Sequence, residues 1–295
     1  MKNGIKIIDM RCRPPYRGFL NEGYPFGLYD VAFAGLFRKM TNTTATPSLL
    51  YRDMGLFIRE MDCAGIDIGV APYRAAWGDP RNNRRKTDNQ DLVDLMNEYP
   101  HRFLGIACLS PVYNTIDENI SEIDKFCVNG PLPGIMLEPY IDQPNWFMND
   151  KERVYPILEK CAQHDLPVLM TFGSLPGFPA EQIDPLLQAC RDFPGVNFVC
   201  CHGAYPYVDR FCHAAFIIPN LYLSPDMYFI NTHCRQMYLD AANYTLRDKL
   251  MFGTACPGIP LEFAVNYYMN SGLREEVLPD IMYRTAARLF HLPLD

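Results

Sequence analysis

Short apolar runs recur along the chain, separated by longer stretches in which the apolar residues have helical spacing. The runs do not alternate strictly between apolar and polar residues, which is typical of strands buried on both faces of a parallel sheet. Eight runs follow one another within IKII, IDIGVAPYR, RFLGIACLSP, PGIMLEPY, LPVLMTFGS, VNFVCCHGA, LYLSPDMY and KLMFGTACP. The pattern therefore predicts eight strands joined by helices.

The stretches between the runs support the same architecture. Helical spacing occurs in residues 48–64, 92–99, 116–127, 154–164, 183–192, 208–216 and 280–289. Eight strand–helix units in a chain of 295 residues predict an α/β fold, a closed (β/α)8 barrel of the TIM type that forms a single domain over residues 1–295. An open doubly wound sheet is the alternative, but no GxGxxG phosphate loop follows any of the runs.

Two segments interrupt the alternation of strands and helices. Residues 14–47 form a long predicted loop region after the first strand, and residues 140–150 form a second insertion after the fourth. Loops that follow the strands of a barrel lie on its catalytic face and can act as lids. Contacts between protomers are the alternative role for both segments.

Composition and charge disfavour several classes of protein. The net charge is −7 and no basic face is evident, so nucleic acid is not an expected partner. No stretch approaches the roughly 18 apolar residues of a membrane span. The 11 cysteines include no CxxC pair and no secretory leader is recognisable, which favours a reducing, cytoplasmic location.

Candidate binding residues lie where the predicted strands end, because the carboxyl ends of barrel strands face the active site. Arg11 and Arg13 follow the first strand two residues apart, a spacing that places both on one face, and Arg74 follows the second strand. Converging guanidiniums predict a site for a substrate carboxylate or phosphate. Glu138 and Thr171 end the fourth and fifth strands and are predicted to contact the same substrate.

The two arginines of the first strand also have a structural interpretation. Arg11 and Arg13 would then form buried ion pairs with Asp9, Glu138 or Asp226 and bind no ligand. The sequence leaves both interpretations open.

His202 and Asp226 are the candidate catalytic residues. His202 directly follows the sixth strand and precedes a glycine, and its imidazole titrates near neutral pH, as a general acid or base must. Asp226 follows the seventh strand, where it would orient His202 or act as the acid or base itself. The structural alternatives are a hydrogen-bonded core histidine and an aspartate that pairs with an arginine or caps the next segment.

The ordered strand ends resemble those of a known family. KIIDMRCRPP is similar to an opening strand Ile-Asp-x-His-x-His, PGIMLEP to Gly-Ile-Lys-Leu-x-Pro, LPVLMTFG to Pro-Val-x-x-His-x-Gly, VNFVCCHGA to a strand that ends in His-x-Gly, and LMFGTACP to Leu-Phe-Gly-Ser-Asp-x-Pro. Over essentially its whole length the chain resembles the amidohydrolase-related barrel family, which includes aminocarboxymuconate-semialdehyde decarboxylase and pyrone-dicarboxylate lactonase. The resemblance implies a barrel enzyme that acts on small carboxylates.

The chain departs from this family at the metal-ligand positions. By the resemblance, the family's metal histidines correspond to Arg11, Arg13 and Thr171, and its strand-eight aspartate, a metal ligand and the usual catalytic base, corresponds to Ala255. The strand-six histidine is retained as His202. Arginine has no lone pair to donate, and catalytic zinc takes about three protein ligands. We therefore predict that no metal cofactor is bound and that guanidiniums take its place.

A zinc site rebuilt from Cys12, His202 and Asp226 is the alternative to a metal-free site, since thiolate and imidazole both bind zinc. The neighbouring arginines disfavour it, because their positive charges repel a dication.

Three functions follow from these residues and the resemblance. The first is a metal-independent hydrolase, lactonase- or amidohydrolase-like, in which arginines bind a small carboxylate and His202 and Asp226 manage the proton of water. The second is a decarboxylase or another lyase that breaks a carbon–carbon or carbon–oxygen bond of a small carboxylic acid. The third is a barrel that binds a metabolite without turnover. A homodimer also fits, because barrels of this family often form dimers.

Overall fold

Seven parallel strands follow one another in chain order around a single sheet. The computed structural model describes residues 1–21, 29, 31–73, 88–139, 146–172 and 182–294. The strands are β1 (Ile8–Asp9), β2 (Ile68–Pro72), β3 (Phe103–Cys108), β4 (Ile135–Leu137), β5 (Val168–Thr171), β6 (Phe198–Cys201) and β7 (Leu221–Ser224). Consecutive strands of this order pair side by side, as in a barrel.

The eighth predicted strand closes the barrel between β7 and β1. The Leu223 amide donates to the Lys249 carbonyl at 3.0 Å, and the Met251 amide donates back to the Leu223 carbonyl at 2.9 Å. On the other side, the Met10 amide donates to the Phe252 carbonyl at 3.1 Å. The predicted barrel is therefore confirmed, with residues 249–252 as a short closing segment.

The helices lie between the strands in the predicted order. They are α1 (Val31–Arg38), α2 (Pro47–Tyr51), α3 (Met54–Ala64), α4 (Asn89–Glu98), α5 (Ile116–Ile123), α6 (Tyr155–Gln163), α7 (Ile183–Asp192), α8 (Val208–Ile217), α9 (Arg235–Asn243), α10 (Leu261–Met269) and α11 (Thr285–Leu289). One-turn π-helices over Asp124–Val128 and Asp280–Arg284 extend α5 and precede α11. No described helix is long and apolar enough to cross a membrane.

Two predictions differ from the structure, and α9 and α10 are helices that the apolar spacing does not predict. The helix predicted over residues 48–64 is broken, because Arg52 adopts a left-handed conformation (φ 53°) and Asp53 starts a new helix by accepting a hydrogen bond from the Leu56 amide at 2.7 Å. The predicted loop region 14–47 contains α1, and of the insertion 140–150 residues 140–145 lie outside the described part.

An apolar cluster fills the barrel interior, and polar residues lie next to it at the carboxyl ends of the strands. Met136, Leu169 and Val199 belong to an interior cluster, and the helical end of the chain covers it with Ala286 and Phe290. Side chains two residues apart share one face of a strand. The next inward positions on these three strands are therefore those of Glu138, Thr171 and Cys201. Polar groups thus lie directly above the apolar cluster.

The seam between β1 and the closing segment is held by a buried carboxylate. Asp9 is 0% exposed. Its Oδ1 accepts the Arg11 amide at 3.0 Å and the Thr254 amide at 2.8 Å, and its Oδ2 accepts the Thr254 hydroxyl at 2.6 Å. Burial raises the pKa of Asp9 from 3.8 to about 6, although these hydrogen bonds oppose the shift.

This shift predicts how stability depends on pH. The folded protein holds the Asp9 proton more tightly than the unfolded chain, so the contribution of Asp9 to the free energy of unfolding should fall as the pH rises between about 4 and 6 and stay level above that. For a pKa raised from 3.8 to about 6, the contribution is about 3 kcal/mol. In urea unfolding across this range, the free energy of unfolding of the wild type should fall relative to that of Asp9→Asn by this amount. Asp117→Asn, at an exposed position, is the control, and equal slopes in wild type and Asp9→Asn would contradict the assignment.

Candidate active site

Arg11 reaches across the barrel mouth from β1 to β5. One of its terminal nitrogens donates to the Thr171 hydroxyl at 2.9 Å, and that hydroxyl donates to Glu138 Oε1 at 2.6 Å. The other terminal nitrogen of Arg11 lies 3.8 Å from the same carboxylate oxygen. All three side chains are buried, at 1% exposure or less. The structure therefore brings together three of the residues predicted to bind substrate.

Arg13 joins this cluster from the side of β2. Its Nε donates to the Pro72 carbonyl at 2.9 Å, and its guanidinium lies 4.0 Å from Glu138. The Tyr29 hydroxyl donates to the Arg13 carbonyl at 2.8 Å and fixes the backbone there. The third predicted cation, Arg74, lies outside the described residues. Arg11, Arg13, Glu138 and Thr171 are called the arginine cluster below.

Both arginines of the cluster approach one carboxylate. Arg11 and Arg13 lie 3.8 Å and 4.0 Å from the same Glu138 oxygen. The structural interpretation of the arginines, ion pairing with Glu138, is thus part of what the structure contains. Binding of a substrate anion stays a prediction, for which two converging guanidiniums are chemically suited.

His202 and Asp226 meet at the ends of β6 and β7. Nδ1 of the imidazole lies 2.9 Å from Oδ1 and 2.7 Å from Oδ2 of the carboxylate. The same carboxylate accepts the His202 amide at 3.1 Å and the Met227 amide at 2.6 Å, so both its oxygens are held by the backbone as well. An ionised carboxylate is only an acceptor, so Nδ1 carries a proton and a proton exchanged with substrate resides on Nε2. Of the roles left open for Asp226, this geometry supports orientation of His202.

The backbone is strained where it carries this dyad. His202, Ala204 and Asp226 have φ values of 63°, 62° and 43°, a region that residues with a side chain seldom occupy. A side chain on Gly203 would lie 2.8 Å from the Pro225 Cα and 2.7 Å from the Tyr238 hydroxyl, so a glycine is required for the two turns to approach. Strained backbone that the surrounding structure holds in place is typical of functional sites.

The dyad and the arginine cluster adjoin each other at Cys201. Cys201 lies opposite Thr171 in the β5–β6 ladder. Burial raises the pKa of its thiol to about 11, the positive charges of Arg11 and Arg13 oppose this shift, and the charge of Asp226 adds to it. Cys201 precedes His202 in the chain and is fully buried. The two groups of predicted site residues therefore meet at the ends of the neighbouring strands β5 and β6, at one mouth of the barrel.

An aromatic wall stands beside the dyad. The Tyr228 ring meets the His202 ring edge-on with centroids 5.3 Å apart, and Tyr205 stacks on Tyr228 at 4.5 Å. The Tyr205 hydroxyl lies 3.4 Å from Nδ1 of His233, which is exposed. These rings extend from the buried imidazole to the surface and cover one side of the dyad.

Two cysteines at the mouth are poor nucleophiles. The backbones of Cys12 and Cys256 form a parallel β-bridge just beyond β1 and the closing segment, and both side chains are buried as free thiols. Burial raises the pKa of each thiol well above its usual value, so both stay protonated at neutral pH. A thiol nucleophile is therefore not supported.

The residues present do not fit the metal that the family resemblance implies. Two of its ligand positions, Arg11 and Thr171, hydrogen-bond directly to each other. Guanidinium has no lone pair, and Ala255 has no ligand atom in its side chain. In the described part of the chain no three His, Cys, Asp or Glu side chains are grouped to hold a metal ion, so Cys12, His202 and Asp226 do not assemble the alternative zinc site.

Several residues around the site carry no signal in the sequence. The Tyr268 hydroxyl donates to the Asp226 carbonyl at 3.0 Å from α10, a helix that the apolar pattern does not predict. A side chain on Gly253 would lie 3.0 Å from the Asp226 Cβ, so this glycine allows the closing segment to approach the dyad. Thr254 stands in a recognisable motif, but its contact with Asp9 joins residues 245 positions apart.

Comparison with known proteins agrees with the fold. A family model described as Amidohydrolase matches residues 63–292. The structure of an uncharacterized TIM-barrel protein from Bordetella bronchiseptica is similar, with a TM-score of 0.85 and 28% identity over 97% of this chain and 99% of that one.

Two decarboxylase structures share the fold at lower identity. One is 5-carboxyvanillate decarboxylase from Sphingomonas paucimobilis, with a TM-score of 0.68 and 15% identity over 98% of this chain and 100% of that chain. The other is a dihydroxybenzoic acid decarboxylase from a Polaromonas species with bound manganese and the inhibitor 2-nitroresorcinol, with a TM-score of 0.67 and 15% identity over 97% of each chain. The family model covers most of the sequence, and the chain therefore belongs to the amidohydrolase family.

Proposed function

We propose that the chain is a metal-independent decarboxylase of a small carboxylic acid. The observation that carries the proposal is the convergence of two buried guanidiniums and a His–Asp dyad on one mouth of the barrel, where Thr171 of the arginine cluster lies opposite Cys201, the residue before His202. The guanidiniums are suited to stabilise a developing negative charge, and the dyad is suited to transfer a proton. The similarity to structures named as decarboxylases supports the choice of reaction.

Arg11 and Arg13 would act on a substrate oxygen that gains charge. When CO2 leaves, the electron pair of the broken carbon–carbon bond moves through the conjugated substrate onto an oxygen, and a cation there stabilises the transition state more than the ground state. A cation on the departing carboxylate would have the reverse effect, because that group loses its charge. The arginine cluster therefore binds the remaining oxygen function of the substrate.

His202 would supply the proton that replaces CO2. Asp226 stabilises the imidazolium through Nδ1, and Nε2 donates its proton to the carbon that has lost the carboxylate. Water then returns a proton to the imidazole. In this step every group involved belongs to the chain, the substrate or the solvent.

Hydrolysis of a lactone or amide is the second candidate, and the dyad is the observation that favours it. With Nδ1 held by a carboxylate, Nε2 is the nitrogen that accepts a proton from water, while the guanidiniums polarise the carbonyl. The two reactions differ in their products. A panel of hydroxybenzoates, unsaturated dicarboxylates and lactones would be tested for ¹³CO2 release from labelled carboxyl groups and for acid release. Binding without turnover of any member would instead favour the metabolite-binding barrel.

The dyad predicts a large loss of rate in one variant. His202→Asn should lower kcat on the substrate found by this panel by about 10²- to 10⁴-fold, because the proton donor is removed. Asp226→Asn should lower kcat less, since the imidazole remains. His291→Asn, an exposed histidine paired with Asp165, is the control. Full activity of His202→Asn would rule out the proposed role.

The arginine cluster predicts a loss of transition-state stabilisation in a variant that keeps the charge at position 11 but not the geometry of the guanidinium. Arg11→Lys should lower kcat/KM by roughly 10- to 100-fold, the effect of losing one charged hydrogen bond. Arg17→Lys, at a surface arginine bound to Asp91, Asp94 and Glu98, is the matched control. Unchanged kcat/KM in Arg11→Lys would remove the arginine cluster from the proposal.

Metal independence predicts that chelation has no effect. Protein purified without chelator should contain well below one equivalent of metal per chain by elemental mass spectrometry, and kcat should be the same before and after dialysis against EDTA. One equivalent of zinc or manganese, with activity that is lost on chelation and restored by the metal, would contradict a metal-free site.

A further inference from the structure

The side chains that follow β1 change from one face of the sheet to the other at Arg11. Residues two apart in a regular strand share one face, and accordingly Ile8 and Met10 both belong to the cluster inside the barrel. Cys12 should continue this row, yet it belongs to the cluster outside the barrel, between the strands and the helices. Between Met10 and Cys12 the regular alternation of inward and outward side chains is therefore reversed.

The backbone hydrogen bonds show the same exchange. The Met10 amide donates to the Phe252 carbonyl of the closing segment, whereas the Cys12 amide donates to the Val70 carbonyl of β2, on the opposite side of the strand. In a regular strand these two amides would point the same way. Between them, the Arg11 amide donates to the Asp9 side chain at 3.0 Å. A side chain that accepts a nearby backbone amide competes with the sheet, and here it holds the turn.

This turn decides where the two arginines lie. Had the alternation of Ile8 and Met10 continued, Arg11 and Arg13 would face the surrounding helices, on the side where Cys12 now packs. Instead Arg11 reaches Thr171 on β5, 160 residues away, and Arg13 approaches Glu138 on β4. The entry of both guanidiniums into the barrel mouth thus coincides with the turn at Arg11.

Thr254 fixes the carboxylate that holds the turn. Its amide and hydroxyl both donate to Asp9, at 2.8 Å and 2.6 Å, and its hydroxyl oxygen accepts the Cys256 amide at 3.0 Å. The next residue, Ala255, has a φ of 55°. Asp9 and Thr254 together therefore clasp β1 to the closing segment on one side of the site, and the pair is called the clasp below.

We propose that Asp9 and Thr254 are positioning residues whose clasp turns β1 over, so that Arg11 and Arg13 face the substrate. The importance of this role for catalysis rests on the proposed function of the arginines. The clasp touches no substrate, and it acts through the direction in which Arg11 leaves the backbone.

The test measures the environment of Arg11 directly. In protein labelled with ¹⁵N-arginine, the Nε–H signal of Arg11 is assigned by its loss in Arg11→Lys. Thr254→Val, which removes the hydroxyl and keeps the shape, should shift this signal and speed its exchange with water by about tenfold or more. Thr254→Ser, which restores the hydroxyl, should keep both within about twofold of wild type. Thr285→Val, at a buried threonine of α11 outside the site, is the matched control.

A second variant covers the case in which Thr254→Val does not fold. Asp9→Asn keeps an acceptor for the Arg11 amide but loses the acceptor for the Thr254 hydroxyl, so it should also shift the Arg11 signal. An Arg11 signal and exchange rate equal to wild type in the folded variant would overturn the clasp.

Turnover then separates the two proposals. If the clasp positions a catalytic arginine, Thr254→Val should lower kcat/KM by about 10- to 100-fold, and Thr254→Ser should restore it. A shifted Arg11 signal with unchanged kcat/KM in both Thr254→Val and Arg11→Lys would uphold the clasp and refute the proposed function. An unshifted signal in Thr254→Val, with lowered kcat/KM in Arg11→Lys, would refute the clasp alone.

Discussion

The hydrogen bond from Arg11 to Thr171 spans the mouth of the barrel, and the arginine cluster depends on it. A buried guanidinium is costly unless its donors and its charge are matched. Thr171 supplies an acceptor and relays to Glu138, which also faces Arg13. Two guanidiniums and one carboxylate therefore converge at the mouth of the barrel, and this convergence is what the proposed binding of an anionic group rests on.

The dyad follows a different physical rule. His202 and Asp226 satisfy each other's polar groups, and the backbone amides of His202 and Met227 complete the carboxylate's hydrogen bonds. This arrangement requires a strained backbone, because both members of the dyad have positive φ values. Close approach at Gly203 and Gly253 holds these turns in place. Packing thus holds the strained turns that carry the imidazole, which is the kind of fixed geometry that the proposed proton transfer requires.

Most of the architecture is predictable from local patterns. Buried strands and amphipathic helices have distinct periods, so the order of eight strands and the bounds of α7 agree with the structure. The differences arise where periodicity is ambiguous. A left-handed Arg52 breaks a regular apolar pattern, and α9 is a polar helix whose burial is decided by neighbours distant in sequence. Propensity alone does not determine such elements.

The sequence by itself determined the barrel, the family, and which residues stand at the strand ends, because these depend on local periodicity and on motif order. It placed Arg11 and Arg13 on one face, since residues two apart in a strand share a face. The tertiary structure alone decided which face that is. The regular alternation of β1 points the arginines away from the site, and the reversal depends on Asp9 and Thr254, which are 245 residues apart and meet only when the barrel closes.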